Sequence, residues 1–187
     1  MFFPLELIGG SMKVMIICGS PRKGNSEFVS LKAKELLEEK GASVELVLLR
    51  EKKIQSWHED HENTKDDMPA LLKSFVEADA YLVVSPTYYG MPPGILKNFI
   101  DRTDILFGKQ EEFKPKFASV IAIGASPLGG GIEHNAENLR LFFRMIGARN
   151  MDCLYLQGKD NPEKILEDKN VKEKLPVLIG HLVNAVK

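Results

Sequence analysis

The sequence is poor in cysteine, in long apolar runs and in net charge, and each shortage excludes a class of protein. Two cysteines among 187 residues are too few for a disulfide framework, so a reducing cytoplasm is the expected location. No stretch approaches the ~18 consecutive apolar residues of a membrane span. The formal net charge of -1 gives no support to a nucleic-acid-binding surface.

The start of the chain also lacks the features of a signal peptide. The first eight residues are apolar, but they have no basic leader and no long apolar region. The run Gly9-Gly10-Ser11 is typical of a flexible joint. We therefore expect residues 1–11 to be an extension outside the core, and residues 12–187 to form a single domain.

The most informative stretch is residues 19–26, Gly-Ser-Pro-Arg-Lys-Gly-Asn-Ser, which lies between an apolar run and a helical period. A loop in that place points main-chain N–H groups and the positive end of a helix dipole at an anion. Its neutral donors and basic groups come from Ser20, Arg22, Lys23, Asn25 and Ser26. Gly24 permits close approach, so the loop predicts a phosphate site. The alternative is an ordinary turn with a solvated basic pair.

Single residues exclude three other phosphate-binding motifs. Asn25 stands where the loop of a nucleotide triphosphatase has its lysine. Pro21 replaces the second glycine of G-x-G-x-x-G, and Gly24 replaces the arginine of C-x5-R. What remains is a monophosphate held by hydroxyls and amides, as in a flavin mononucleotide (FMN) site.

Five short apolar runs alternate with helical periods along the chain. They cover residues 14–18, 43–49, 81–85, 118–123 and 151–156. This alternation predicts an α/β fold with a parallel sheet covered by helices on both faces. The loops after the first, third and fourth strands should then meet at one edge. In the tail, Pro162 and Pro176 each fit a first helical turn, which predicts a short helix followed by a second one over residues 177–186.

The loops after the third and fourth strands suit a flat ring. Tyr88 and Tyr89 offer aromatic faces, while Gly90 and Met91 can present main-chain amides to a polar ring edge. Three glycines that let a main chain approach a planar ligand follow the fourth strand, at Gly129, Gly130 and Gly131. Surface packing of the tyrosines and a mobile glycine loop are the alternatives. Three such loops at converging positions favour a flavin site.

Three segments resemble the NADPH-dependent FMN reductase family of the flavodoxin-like fold: residues 19–26, Ser85 to Met91, and the helix from Leu96 to Thr103. The resemblance covers most of residues 12–155. It implies a three-layer sandwich around a five-stranded parallel sheet in the order 2-1-3-4-5. It implies that the FMN phosphate is bound by Ser20, Arg22, Gly24, Asn25 and Ser26. It also implies that the isoalloxazine is flanked by Pro86, Thr87, Tyr88, Tyr89, Gly90 and Met91, with further cofactor contacts from Ser126, Pro127, Gly129 and Gly130.

Within that family the chain is most similar to the iron–sulfur flavoproteins, which carry a cysteine motif before Asp-Asp-Met. Lys65 to Met68 keeps that ending, but residues 50–64 contain no cysteine. We expect no [4Fe–4S] cluster, since such a cluster needs thiolate ligands. His58 and His61 could meet around another metal, although a solvated acidic loop is the favoured interpretation. Trp57 is expected to close over the flavin edge or a subunit seam.

These features predict an FMN-dependent NAD(P)H oxidoreductase that passes electrons to a quinone, azo compound, flavin or protein. No side chain is expected to act as acid or base, because the flavin carries the bond chemistry. A flavodoxin-like electron carrier without a nicotinamide site is the main alternative, and the small net charge argues against it. An interaction module that has lost its cofactor is the third. By analogy with such reductases we expect a homodimer or homotetramer, with no nucleic-acid or membrane partner.

Overall fold

A single parallel sheet forms the middle layer of the molecule. The computed structural model describes residues 11–109, 116–125 and 130–187. The strands are β1 (Lys13–Cys18), β2 (Ser43–Leu48), β3 (Ala80–Pro86), β4 (Phe117–Gly124) and β5 (Arg149–Gln157). They pair in parallel in the order β2-β1-β3-β4-β5. The flavodoxin-like fold and strand order predicted from the sequence are confirmed.

The inner strands bury side chains on both faces, which explains their nearly continuous apolar runs. In β1, Val14 and Ile16 face one core, and Met15 and Ile17 face the other. The same alternation recurs in β3 and β4. A strand of this kind shows no polar alternation in its sequence, because neither face meets water.

Helices complete the two outer layers. The first core is covered by α1 (Asn25–Glu39) and α5 (Lys169–Val186). The second core is covered by α2 (Met68–Glu77), α3 (Gly94–Asp101) and α4 (Ile132–Met145). Short 3-10 helices span Leu49–Glu51, His61–Asn63, Asp104–Leu106 and Pro162–Glu167. Across the described ranges, no helix combines the length and apolar character needed to span a bilayer.

The predicted break at Pro176 is wrong, although Pro162 does begin a short helix as expected. Pro176 lies inside α5, which continues through it. The buried stripe of this helix includes Leu175 before the proline and Ile179 after it, both fully buried. Packing of that stripe overrides a local cost of about 3 kcal/mol for a proline in a helix interior.

Candidate functional site

A cavity of about 600 Å³ opens at the carboxyl edge of the sheet. All five predicted phosphate-binding residues line it, from Ser20 to Ser26. Pro86, Thr87 and Tyr88 line it from the loop after β3. Small-molecule sites typically measure about 300 to 1,000 Å³, so the cavity has the size of a cofactor site. The structure therefore brings the first two predicted loops together.

The first loop is shaped by its own serine. The Ser20 hydroxyl donates to the Arg22 carbonyl at 2.7 Å and accepts from the Arg22 N–H at 3.3 Å. Its single proton is therefore used within the loop. Arg22 and Lys23 are exposed, and neither forms an ion pair with another residue that the structure describes. The loop thus presents two uncompensated positive charges at the rim of the cavity.

The loop ends at the amino terminus of α1, where the chain leaves space for a ligand. Gly24 is the N-cap residue, and its φ of 171° is extended backbone that any residue can adopt. A Cβ atom added there would meet nothing within 4 Å. Asn25 and Ser26 begin the helix, so no intrahelical carbonyl accepts their main-chain N–H groups. Within the described part of the chain, no neighbouring atom therefore requires glycine at position 24, and space is left beside the helix end.

The second loop is a tight turn over residues 88–91. The N–H of Tyr88 donates to Met91 O and that of Met91 to Tyr88 O, both at 3.0 Å. Tyr89 and Gly90 have φ values of 53° and 76°, and the Tyr89 side chain is fully exposed. The sequence led us to expect that the Met91 N–H faces the ligand. In the structure this N–H is bonded inside the turn instead. Only Tyr88 of the two tyrosines lines the cavity.

The third loop touches the second through glycine. Gly131 has a φ of 76°, and an added Cβ would lie 2.5 Å from the Gly90 Cα. The need for glycine at position 131 is therefore explained by contact with a neighbouring loop rather than with a planar ligand. Gly130 is exposed beside it and is not among the residues that line the cavity. Ser126, Pro127 and Gly129, which the sequence also nominates, lie outside the described residues.

Asn135 of α4 fixes the end of β3 and was missed by the sequence analysis. Its buried Nδ2, which carries two protons, lies within hydrogen-bonding distance of three acceptors: Ser85 Oγ at 3.2 Å, Pro86 O at 3.1 Å and Thr87 Oγ1 at 3.0 Å. Since Pro86 and Thr87 line the cavity, Asn135 sets the position of that wall. No local pattern marks it, because an asparagine within a helix is usually exposed.

A fourth loop also contributes and was missed. Gly158, Lys159 and Asp160, which follow β5, line the same cavity. The rule that strand ends converge at one edge applies to β5 as it does to β1 and β3. A glycine followed by two charged residues after a predicted strand was therefore the available signal.

The long connection of residues 50–66 is held by a buried ion pair. Arg102 Nη1 lies 2.7 Å from Asp66 Oδ2, and both side chains are almost fully buried. Arg102 also donates to the carbonyls of Gln55 and His61. Burial alone would raise the pKa of the Asp66 carboxyl, but hydrogen bonds from Gln55 N–H, Arg102 and Met68 N–H lower that pKa below its usual range.

Asp104 joins the aromatic residues of this connection to the helical layer. Trp57 Nε1 donates to Asp104 Oδ2 at 2.5 Å, and His61 Nε2 lies 3.2 Å from Asp104 Oδ1. His61 Nδ1 is 2.6 Å from the His58 carbonyl, and His58 Nε2 is 3.0 Å from Thr64 Oγ1. Within the described ranges no group of three or more His, Cys, Asp or Glu side chains is arranged to hold a metal ion.

The two cysteines do not fit an iron–sulfur centre. Cys18 lies in β1 and Cys153 in β5, three strand spacings apart in the sheet order, or about 14 Å. Burial raises the pKa of both thiols above its ordinary value. Cubane clusters are usually held by four thiolates, and this sequence has only two cysteines.

Residues 12–160 match the family model of the NADPH-dependent FMN reductases. The chain belongs to this family. An iron-sulfur flavoprotein of Archaeoglobus fulgidus is 31% identical over 138 residues, which make up 70% of this chain and 68% of that protein. Membership of the FMN reductase family makes the chain a flavoprotein-type oxidoreductase. The segment that matches the family model, residues 12–160, contains the predicted phosphate loop, the tyrosine turn and β5.

Solved structures agree on the fold of this FMN reductase family member. RosB with a bound 8-demethyl-8-formylriboflavin-5'-phosphate intermediate aligns with a TM-score of 0.76 at 16% identity, covering 94% of this chain and 79% of RosB. The apo form of the NADH:FMN oxidoreductase EmoB aligns with a TM-score of 0.72 at 18% identity, covering 95% and 91%. At such identities the likeness shows the flavodoxin-like fold alone.

Proposed function

We propose that this chain binds FMN in the cavity at the carboxyl edge of the sheet. In this function it transfers electrons from NADPH or NADH to a second acceptor. Acceptors in keeping with the family are a quinone, an azo compound, a free flavin or a protein. The observation that carries the proposal is the cavity itself, which joins a helix amino terminus, the ring of Tyr88 and two cations that form no ion pair with any described residue.

The chain's own groups have distinct tasks at this site. The N–H groups of Asn25 and Ser26, with Arg22, would hold the phosphate, because a helix end and a guanidinium both favour a dianion. The ring of Tyr88 would support one face of the isoalloxazine. Asn135 keeps Thr87 and Pro86 in place on the same wall. FMN, when bound, supplies the two-electron chemistry, so the protein binds and orients rather than donating protons.

The electron path in this proposal uses flavin only, without an iron–sulfur cluster. Its support is the donor set: the sequence has two cysteines, and they lie on strands that are not neighbours. Iron and sulfide analysis of anaerobically purified protein should give less than 0.1 iron per chain. A stoichiometric cluster would contradict this part of the proposal.

A second depression supports self-association. It measures about 390 Å³ and lies between α3 and α4, on the far side of the tyrosine turn, where Met91 lines it. Phe107 and Leu141 expose 64% and 47% of their surface there. Clustered exposed apolar side chains are typical of a protein interface. We propose a homodimer through this face, placed next to the flavin ring.

Light scattering after size exclusion tests the dimer. Leu141→Asp should convert a dimer to a monomer, because it places a charge in the apolar face. Leu31→Asp, at a leucine of α1 that is similarly exposed on the opposite layer, is the matched control and should leave the mass unchanged. A monomeric wild-type protein would overturn the dimer, and equal effects of the two substitutions would move the interface elsewhere.

Anaerobic mixing tests the enzymatic function. FMN-loaded protein is mixed with NADPH or NADH, and flavin absorbance is followed. Bleaching at rates of about 1 s⁻¹ or faster, followed by re-oxidation with a quinone, supports a reductase. If the flavin binds but neither nucleotide bleaches it, the chain is an electron carrier. If FMN does not bind, both the reductase and the electron-carrier functions are excluded.

The phosphate assignment is tested with paired ligands. Arg22→Ala should weaken FMN binding roughly tenfold and leave riboflavin binding unchanged, because only FMN carries the phosphate. Lys169→Ala, at an exposed lysine of α5, controls for general electrostatics. Equal FMN affinity in Arg22→Ala and the wild type would remove Arg22 from the site.

A further inference from the structure

Both polar atoms of the Asn25 side chain form a hydrogen bond before any ligand binds. Its Nδ2 donates to the Lys159 carbonyl at 3.0 Å, and its Oδ1 accepts the Lys159 N–H at 3.0 Å. This reciprocal pair joins residues 134 positions apart. The side-chain amide thus bonds both main-chain groups of Lys159, as the main chain of a neighbouring β-strand would. Asparagine suits the position because its planar amide carries a donor nitrogen and an acceptor oxygen side by side, and the pair with Lys159 uses one of the two Nδ2 protons.

The loop that Asn25 holds is anchored from a second side. The Gly158 N–H donates to Gly124 O at 2.8 Å, at the end of β4. An added Cβ at Gly158 would lie 3.3 Å from Asn25 Nδ2, so the two chains are in close contact. Lys159 Nζ is paired with Asp168 Oδ2 at 2.9 Å, which turns its charge towards the start of α5. The segment 158–160 therefore stands as a fixed wall opposite the phosphate loop.

We propose that the side chain of Asn25 is a positioning group, and that Asn25 serves the phosphate through its main-chain N–H alone. Its side chain holds segment 158–160 as the fourth wall of the cavity, and this wall contacts the bound flavin cofactor. The identity of the cofactor rests on the proposed function. The two hydrogen bonds between Asn25 and Lys159, called the clip below, do not depend on it. Turning the whole Asn25 amide towards a phosphate would break both bonds to Lys159 and free two main-chain groups at once, whereas keeping both bonds leaves only the second Nδ2 proton outside the pair. The Asn25 N–H, by contrast, is available to the phosphate without any such loss.

Hydrogen exchange at the Lys159 amide tests the clip in the protein without flavin. In the wild type this amide should exchange slowly, since Asn25 Oδ1 accepts its proton. Asn25→Ala should accelerate its exchange at least tenfold, and Asn25→Asp, which keeps the acceptor, should accelerate it less. Lys23→Ala is the matched control in the same loop and should leave it unchanged. Unaltered exchange in Asn25→Ala would overturn the clip whether or not the protein binds flavin.

Adding FMN then separates positioning from direct binding. A positioning residue keeps its bonds, so Lys159 exchange in the wild type should stay slow or become slower. Acceleration to the Asn25→Ala rate would show that the amide moves to the phosphate, and it would overturn the proposal. Affinities give the second readout: Asn25→Ala should weaken FMN and riboflavin by the same factor, about tenfold. Selective loss of FMN affinity, as expected for Arg22→Ala, would also overturn it.

Discussion

Gly131→Ala is the substitution with the most clearly separable effects. The residue carries two constraints: a φ of 76°, and an added Cβ that would lie 2.5 Å from the Gly90 Cα. Gly41 has a φ of 82°, but its added Cβ would meet nothing within 4 Å. The pair therefore separates the cost of the left-handed backbone from the cost of pushing two loops of the site apart.

The magnitudes follow from those two constraints. A side chain in the left-handed region costs about 1–2 kcal/mol, and this applies to both variants. Relieving the overlap with Gly90 costs roughly a further 1–3 kcal/mol, as in overpacked sites, and applies to Gly131→Ala alone. Loss of unfolded-chain entropy favours both variants equally and cancels. We expect Gly131→Ala to be less stable than Gly41→Ala by about 1–3 kcal/mol.

Urea unfolding of the protein without flavin measures the stability difference, and fluorescence quenching measures FMN affinity. Gly131→Ala should also bind FMN at least tenfold more weakly, because the turn that carries Tyr88 must move. Gly41→Ala should bind FMN normally. Gly90→Ala provides a further check, since its added Cβ would come no closer than 3.7 Å to any described atom beyond its two chain neighbours, and its stability should match that of Gly41→Ala. Equal unfolding energies and equal FMN affinities for Gly131→Ala and Gly41→Ala would refute the reasoning.

Three further substitutions test the framework around the site. Asp66→Asn should cost about 3–5 kcal/mol by leaving Arg102 buried without its counter-charge. Because the pKa of Asp66 is lowered in the fold, wild-type stability should be complete above about pH 4 and fall below it, and this acid loss should be shallower in Asp66→Asn. Asn135→Ala should cost about 1–3 kcal/mol and weaken FMN binding, with thermal unfolding and titration as the measurements. Pro176→Ala should raise the free energy of unfolding in urea by up to about 3 kcal/mol, because it restores a helical N–H that can donate to the Lys172 carbonyl. Lower stability would indicate that the proline ring makes a specific contact.

The sequence was a good guide to the fold because the sheet is parallel and covered on both faces. Strands such as β1 and β3 must then be apolar on both sides, and such runs are easily recognised. Pro176 was misjudged for a related reason: a continuous buried stripe decides the helix, and local propensity does not. Packing that forms only after folding cannot be seen in a window of neighbouring residues.

The candidate site was predictable only where local chemistry is unusual. The phosphate loop and the tyrosine turn have distinctive compositions, and both loops line one cavity. Asn135 and the loop after β5 have ordinary compositions, and their roles come from distant partners. Asn25 was recognised as important, but its partner, Lys159, lies more than a hundred residues away. Which group an asparagine bonds depends on tertiary structure, so the sequence left this open.

The turn of residues 88–91 has one further consequence. Tyr88 faces the cavity and Met91 faces the apolar depression, and the two are bonded to each other through both main-chain amides. A displacement of Tyr88 therefore also displaces Met91, and the reverse holds. If pairing of two chains across the depression strengthens FMN binding by some factor, thermodynamic linkage requires FMN to strengthen the pairing by the same factor. Loss of the flavin would then loosen the assembly, and dilution would release the flavin.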